Sequence, residues 1–224
     1  MAIDLVIFDC DGVLIDSEII SAQMLVDELA KLGVVIDLDY VAMHFLGRSY
    51  PTVMNQIRAE FGLDLPAEFE DQYRERLMAA FKIKLRIMPH VAEVLAQLDL
   101  PYCVATSSSP RRAETSLGLV GLQALTGPLL FTSTMVARGK PAPDLFLHAM
   151  RQMGGSDPAR CLVIEDSLNG IRAGRAAGMQ VWRFTGGSHL AGRVLVEPDD
   201  ATPDRRFTSF ADFYTIAPDL VRPQ

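Results

Sequence analysis

Asp9-Cys10-Asp11 places two carboxylates one residue apart, directly behind the apolar run Leu5-Val6-Ile7-Phe8. Alternate residues of an extended segment point the same way, so such a pair can face one point in space. Two carboxylates held together repel unless a cation or a shared proton offsets them. Mg²⁺ takes oxygen ligands and is commonly held by one or two carboxylates plus a substrate phosphate. Three later segments carry complementary groups. Thr106-Ser107-Ser108 offers hydroxyls and backbone N–H groups suited to phosphate oxygens. Lys140, in Gly139-Lys140-Pro141-Ala142-Pro143-Asp144, is a point charge on a loop stiffened by two prolines. Glu165-Asp166 supplies a second acidic pair. Taken singly, each has a plainer role: acids populate strand ends, hydroxyl clusters cap helices, loop lysines are solvated, and Asp166 or Ser167 can N-cap a following helix. Their conjunction is what those roles leave unexplained.

These groups are far apart in sequence and need a scaffold that gathers them. Most of them follow short apolar runs, at 5–8, 102–105 and 161–164, and two more runs lie at 129–131 and 180–184. Runs without period-2 alternation predict strands covered on both faces, as in a parallel sheet. Helical patterns over 89–98, 144–153 and 167–177 separate most of them, with Pro89 in a first turn and Gly178 as a C-cap. Alternating strands and helices predict an α/β fold with a doubly wound, mainly parallel sheet. Ligands of such sheets sit beyond the carboxyl ends of the strands, where Asp9, Thr106 and Glu165 fall. Residues 16–87 break the alternation. They read as helices over 17–32, 38–46 and 50–61, and a longer one from Pro66 with Phe69, Tyr73, Leu77 and Phe81 at i, i+4 spacing, a packing stripe. The expected organisation is an α/β core of residues 1–15 and 88–224 with an all-helical insertion, 16–87. The tail from Leu195 is expected to wrap the surface, anchored by Phe207, Phe210 and Phe213.

In order, and over most of the chain, DxDGVxxDS at 9–17, the hydroxyls at 106–108, GKPxPD at 139–144 and IEDSxxG at 164–170 resemble the haloacid dehalogenase-like hydrolases. The place of the insertion resembles the small helical cap of the beta-phosphoglucomutase and phosphoglycolate-phosphatase branch. The resemblance implies a Mg²⁺-dependent phosphatase acting on a small phosphorylated metabolite, a sugar phosphate or similar phosphomonoester. It implies that Asp9 is the nucleophile, forming an aspartyl-phosphate, and that Asp11 is the general acid and base. Thr106, with Ser107, Ser108 and Gly12, would hold the phosphoryl group, and Lys140 would neutralise nucleophile and phosphate. Asp9, Asp11 (through its backbone carbonyl), Glu165 and Asp166 would form the metal shell. In Leu46-Gly47-Arg48-Ser49, between two predicted cap helices, Arg48 is a candidate substrate contact. True haloacid dehalogenases generally lack the second carboxylate of the first motif, so Asp11 favours phosphate chemistry over carbon–halogen hydrolysis. Beta-phosphoglucomutases typically carry a histidine early in the cap, where this chain has Ser21. Phosphonatases use a cap lysine, and nothing around Lys31, Lys82 or Lys84 marks one. A phosphosugar mutase and a non-catalytic phosphometabolite-binding protein are the rival readings; the complete set of matched residues argues against the second.

The composition bounds these expectations. The 224 residues are 49% hydrophobic and 22% charged, the balance of a folded globular chain rather than a disordered one. With 28 acidic and 21 basic residues the net charge is −7, which disfavours a diffuse grip on nucleic acid or on an anionic membrane. No apolar run approaches the roughly 18 residues that span a bilayer. The start, Met1-Ala2-Ile3-Asp4, lacks the pattern of a signal peptide. Cys10, Cys103 and Cys161 have no CxxC spacing, so a reducing, cytoplasmic setting is expected. Gly186-Gly187-Ser188-His189 could line the site, but reads more readily as a glycine turn with a surface histidine, and none of the four histidines has metal-ligand spacing with another.

Overall fold

The computed structural model describes residues 2–45, 48, 50–66 and 68–221. Leu46, Gly47 and Ser49 of the expected cap loop lie outside the described residues. Six strands form one sheet: β1 (Leu5–Phe8), β2 (Tyr102–Thr106), β3 (Leu130–Thr132), β4 (Cys161–Glu165), β5 (Gln180–Phe184) and β6 (Arg205–Phe207). Their order is β3-β2-β1-β4-β5-β6, with every pair parallel. The order reverses beside β1, which sits between β2 and β4. This is the doubly wound α/β arrangement expected, with its crevice at the carboxyl ends of β1 and β4.

The strands are apolar without alternation because each face has its own core. Val6 and Phe8 pack on one side with Val104, Leu162 and Ile164. Leu5 and Ile7 pack on the other with Cys103, Ala105, Val163, Phe146 and Ile171. All three cysteines are buried as free thiols. Helices α5 (Val91–Gln97), α6 (Pro110–Leu119), α7 (Asp144–Gln152) and α8 (Leu168–Ala176) connect the strands after β1. Ahead of them lie α1 (Glu18–Lys31), α2 (Leu38–His44), α3 (Tyr50–Phe61) and α4 (Phe69–Lys84). Phe69, Tyr73, Leu77 and Phe81 of α4 are all buried, so the i, i+4 stripe is indeed a packing face. The two chain segments at the base of this insertion pair with each other, Asp16 N–H donating to the Arg86 carbonyl at 2.9 Å and Met88 N–H to that of Leu14 at 2.9 Å.

Two local readings are corrected. Pro89 does not open a helix: His90, at φ 66°, stands in the left-handed region before α5 begins at Val91. The tail also does more than wrap the surface, since β6 extends the sheet beside β5. Arg205-Arg206-Phe207 escapes a periodicity reading because an edge strand of three residues can be short and charged. The three aromatic anchors are buried as expected, with ring centroids 5.2 Å apart for Phe207–Phe210 and 6.1 Å for Phe210–Phe213. A short helix, α9 (Phe213–Ile216), ends this cluster. Among the described residues no helix is long and apolar enough to cross a membrane.

Candidate active site

Register brings the acids together. Phe8 stands opposite Val104 in β2 and Ile164 in β4, and the Asp9 N–H donates to the Ile164 carbonyl at 2.9 Å. Asp9 therefore leaves the sheet beside the end of β4, where Glu165 and Asp166 follow. Thr106 ends the neighbouring strand β2. The chain then turns at Gly12, whose φ of +81° suits glycine. A Cβ there would also fall 2.1 Å from Asp166 Oδ2, so the turn can close on the acids only without a side chain.

Lys140 is the hub. Its Nζ donates to Asp9 Oδ1 and to Glu165 Oε1, each at 2.7 Å, and its side chain is 1% exposed. Burial opposes the ammonium charge, but the carboxylates of Asp9 and Glu165 outweigh it and hold the group protonated, above the usual lysine range. The other oxygen of Glu165 accepts from the N–H groups of Asp166 and Ser167 at 2.8 Å each and from Ser167 Oγ at 3.0 Å. Both Glu165 oxygens are thus committed, and the residue acts as the post that fixes Lys140 and the start of α8. Ser167 is the N-cap of that helix, its hydroxyl accepting from the Gly170 N–H at 3.1 Å.

The carboxylates of Asp9, Glu165 and Asp166 offer oxygens within 4.8 Å of one another. Burial pushes Asp9 well up, against the pull of Lys140. Burial and then the Glu165 charge do the same to Asp166. Asp166 Oδ2 is buried without an aligned hydrogen-bond partner among the described residues. Crowded, desolvated carboxylates fit a hard divalent cation, and the orphaned oxygen calls for an ion or a donor. The donor set is all oxygen; Asp9 and Asp166 each keep a carboxylate oxygen without a hydrogen bond among the described residues, while both Glu165 oxygens accept one.

The Asp11 side chain stands outside that triplet. Its Oδ1 accepts from Ser17 Oγ at 2.6 Å and from Arg112 at 2.9 Å, and its Oδ2 accepts from Ser108 Oγ at 2.6 Å. Burial alone would raise this carboxyl, but the Arg112 charge and the serine hydroxyls prevail and hold it below the usual range. Thr106, buried at the end of β2, accepts from the Ser108 N–H at 3.1 Å. Ser107 fixes its loop by accepting a bond from Ser133 Oγ at 3.0 Å on its carbonyl. Arg48 is not among these residues: it is exposed and donates to Gln56 Oε1 of α3 at 2.7 Å.

Two residues escape the sequence reading, and a third departs from it. Arg112 in the first turn of α6 links Asp11 to the insertion, donating to Ser21 Oγ at 3.2 Å and lying 5.4 Å from the centre of the Phe81 ring. Two arginines, Arg111 and Arg112, in a first turn oppose the helix dipole, and that conflict was the available signal. Glu18 opens α1 and is pushed up to about 7 by burial and then by the Asp11 charge. His189 is no surface residue: it is 4% exposed, with Nε2 2.9 Å from Asp166 Oδ2. Gly187, read as part of a plain turn, and Gly12 are what allow the approach.

The family model described as haloacid dehalogenase-like hydrolase matches residues 3–178. The 6-phosphogluconate phosphatase of Escherichia coli K12 is 28% identical over 201 residues, covering 89% of this chain and 90% of that one. A probable pseudouridine-5'-phosphatase of Drosophila melanogaster is 31% identical over 199 residues, 78% of each chain. Among solved structures, a HAD family hydrolase from Deinococcus radiodurans with bound phosphate and sodium is 32% identical, with a TM-score of 0.75 over 99% of both chains.

Proposed function

The chain belongs to the haloacid dehalogenase-like hydrolases and is a phosphomonoester hydrolase, and from that premise we propose that it is a Mg²⁺-dependent phosphatase of a small phosphorylated metabolite, acting through a phosphorylated Asp9. The observation that carries this reading is the Lys140 bridge between Asp9 and Glu165, with Asp166 alongside. Lys140 holds Asp9 Oδ1 and leaves Oδ2 without a hydrogen bond among the described residues. That oxygen is the one to attack phosphorus. Lys140 would offset the charge that gathers between carboxylate and phosphoryl group, and Thr106 and the N–H groups of its loop would orient the phosphoryl oxygens. Mg²⁺ held by Asp9 and Asp166 would supply positive charge against those same oxygens.

Asp11 would protonate the departing alcohol and then take a proton from the water that hydrolyses the aspartyl-phosphate. Its bonds to Arg112, Ser17 and Ser108 favour the ionised carboxylate, the form that activates water. For the protonating step those bonds must loosen, and two of the groups concerned, Ser17 and the Arg112 partner Ser21, lie where the helical insertion begins. We therefore take residues 16–87 as a cap over a core of 1–15 and 88–224, admitting substrate when open and excluding bulk water when closed.

The relatives named 6-phosphogluconate phosphatase and probable pseudouridine-5'-phosphatase support a sugar phosphate or similar ester as substrate. Hydrolysis is favoured over the mutase reading by Ser21, which is already bonded to the Ser17 carbonyl at 3.0 Å and to Arg112. Three buried free thiols support a cytoplasmic setting. The test is phosphate release from a generic aryl phosphate and from a panel of sugar phosphates, with and without Mg²⁺. Asp9→Asn should abolish turnover, and Asp11→Asn should lower it by about 10²–10⁴-fold. Wild-type turnover in Asp9→Asn would overturn the nucleophile assignment.

A further inference from the structure

The turn after β5 is built around His189. Its ring lies in a cradle of two glycines: a Cβ on Gly187 would meet His189 Cε1 at 2.6 Å, and one on Gly12 would meet it at 3.0 Å. The turn is stapled at both ends. The N–H and hydroxyl of Ser188 donate to Asp16 Oδ1 at 3.1 and 2.8 Å, and Arg193 Nε donates back to the His189 carbonyl at 2.8 Å. This places Nε2 2.9 Å from Asp166 Oδ2, within hydrogen-bond distance but off the N–H direction. Asp166 Oδ2 and both ring nitrogens are buried without an aligned partner among the described residues. A fixed imidazole against an orphaned carboxylate oxygen is costly unless the pair serves something.

We infer that His189 is a positioning residue that orients the Asp166 carboxylate toward a divalent cation, its ring N–H serving one carboxylate oxygen while the other faces the ion. The inference rests on the cation reading given above. Ligating carboxylates are themselves usually hydrogen-bonded, and removing such outer partners typically weakens metal affinity 10- to 100-fold. Burial disfavours the charged form of this ring.

The probe is Mn²⁺ alone, titrated into metal-free protein, with the free ion counted by its electron paramagnetic resonance signal. His189→Leu fills the cradle without a donor and should weaken Mn²⁺ binding about 10- to 100-fold. His189→Gln, whose amide N–H₂ can stand in for Nε2, should recover most of that loss. Should His189→Leu not fold, His189→Ala takes its place in the comparison. Equal Mn²⁺ affinity in wild type and the donor-free variant overturns the inference, and so does an equal loss in the donor-free and Gln variants, which would mark a purely structural role. Asp166→Asn separates the two layers: wild-type Mn²⁺ binding in that variant would remove the cation reading itself.

Discussion

Glu18 shows how one carboxyl can report on a whole site. It stands at the first position of α1 with no hydrogen bond or ion pair among the described residues, and Asp11, Arg112 and Asp166 act on it electrostatically. Burial and Asp11 push it up to about 7 from 4.5, against the pull of Arg112. Between those two values the folded protein binds more protons than the unfolded chain. Stability therefore falls as pH rises through that window, and the full penalty is present above about 7. Glu18→Gln removes the ionisation. Without added divalent cation, the variant should gain Tm over wild type between pH 5 and pH 8, by about 2–4 °C for each kcal/mol of penalty removed. A pH-independent Tm difference in thermal-shift measurements would contradict this. Asp11, seven residues earlier, shows the opposite balance: it is buried, yet three donors favour its ionised form. Two neighbouring acids thus differ through their partners, which the residue types alone do not disclose.

At the scale of elements, the strand ends and the first turns of the helices behind them do most of the positioning. The start of α8 is the tightest case. A Cβ on Gly170 would lie 1.7 Å from Glu165 Oε1, and the Glu165 carboxylate is pinned by Lys140 and by two backbone N–H groups. Gly170→Ala must displace that carboxylate and, with it, Lys140. The expected result is a large drop in kcat together with a lower Tm, measured by phosphate release and thermal shift; an unchanged kcat would show that Lys140 keeps its place without Glu165. Much of this architecture was legible beforehand. Strands β1, β2 and β4 are built on apolar runs, and the acidic and hydroxylic groups at their ends, with Lys140 in the loop beyond β3, carry the site in chain order. Helix α3 fell on its expected bounds, and the α4 stripe packs as its spacing requires. What was not legible depends on contacts distant in sequence. Strand β6 has too few residues to show a period, and the burial of His189 follows from two glycines, Gly12 and Gly187, that lie 175 residues apart in numbering and meet only in the fold.

Over the whole molecule the helical insertion and one face of the sheet share a single apolar interior. Leu25, Leu29, Met54, Ile57 and Phe81 from the insertion join Phe8, Val104, Ile164 and Trp182 from the sheet. The chain should therefore unfold in one step: far-UV circular dichroism, dominated by helices, and the fluorescence of Trp182, the only tryptophan, should give coincident urea transitions. Phe81→Ala should destabilise by about 3–5 kcal/mol and shift both curves together rather than separating them. The opposite face is different. Its core, built around Ile7, Phe146, Val163 and Ile171, includes none of the described residues of the insertion. Lys140 rests there, its Nζ 4.8 Å from the centre of the Phe146 ring. Descent with modification can therefore treat the two sides unequally. Substitutions in the insertion are screened by one interior, while Lys140, the residue we propose to serve the phosphoryl group, is sheltered by another, so on that reading new specificities can arise without the chemistry having to be reinvented.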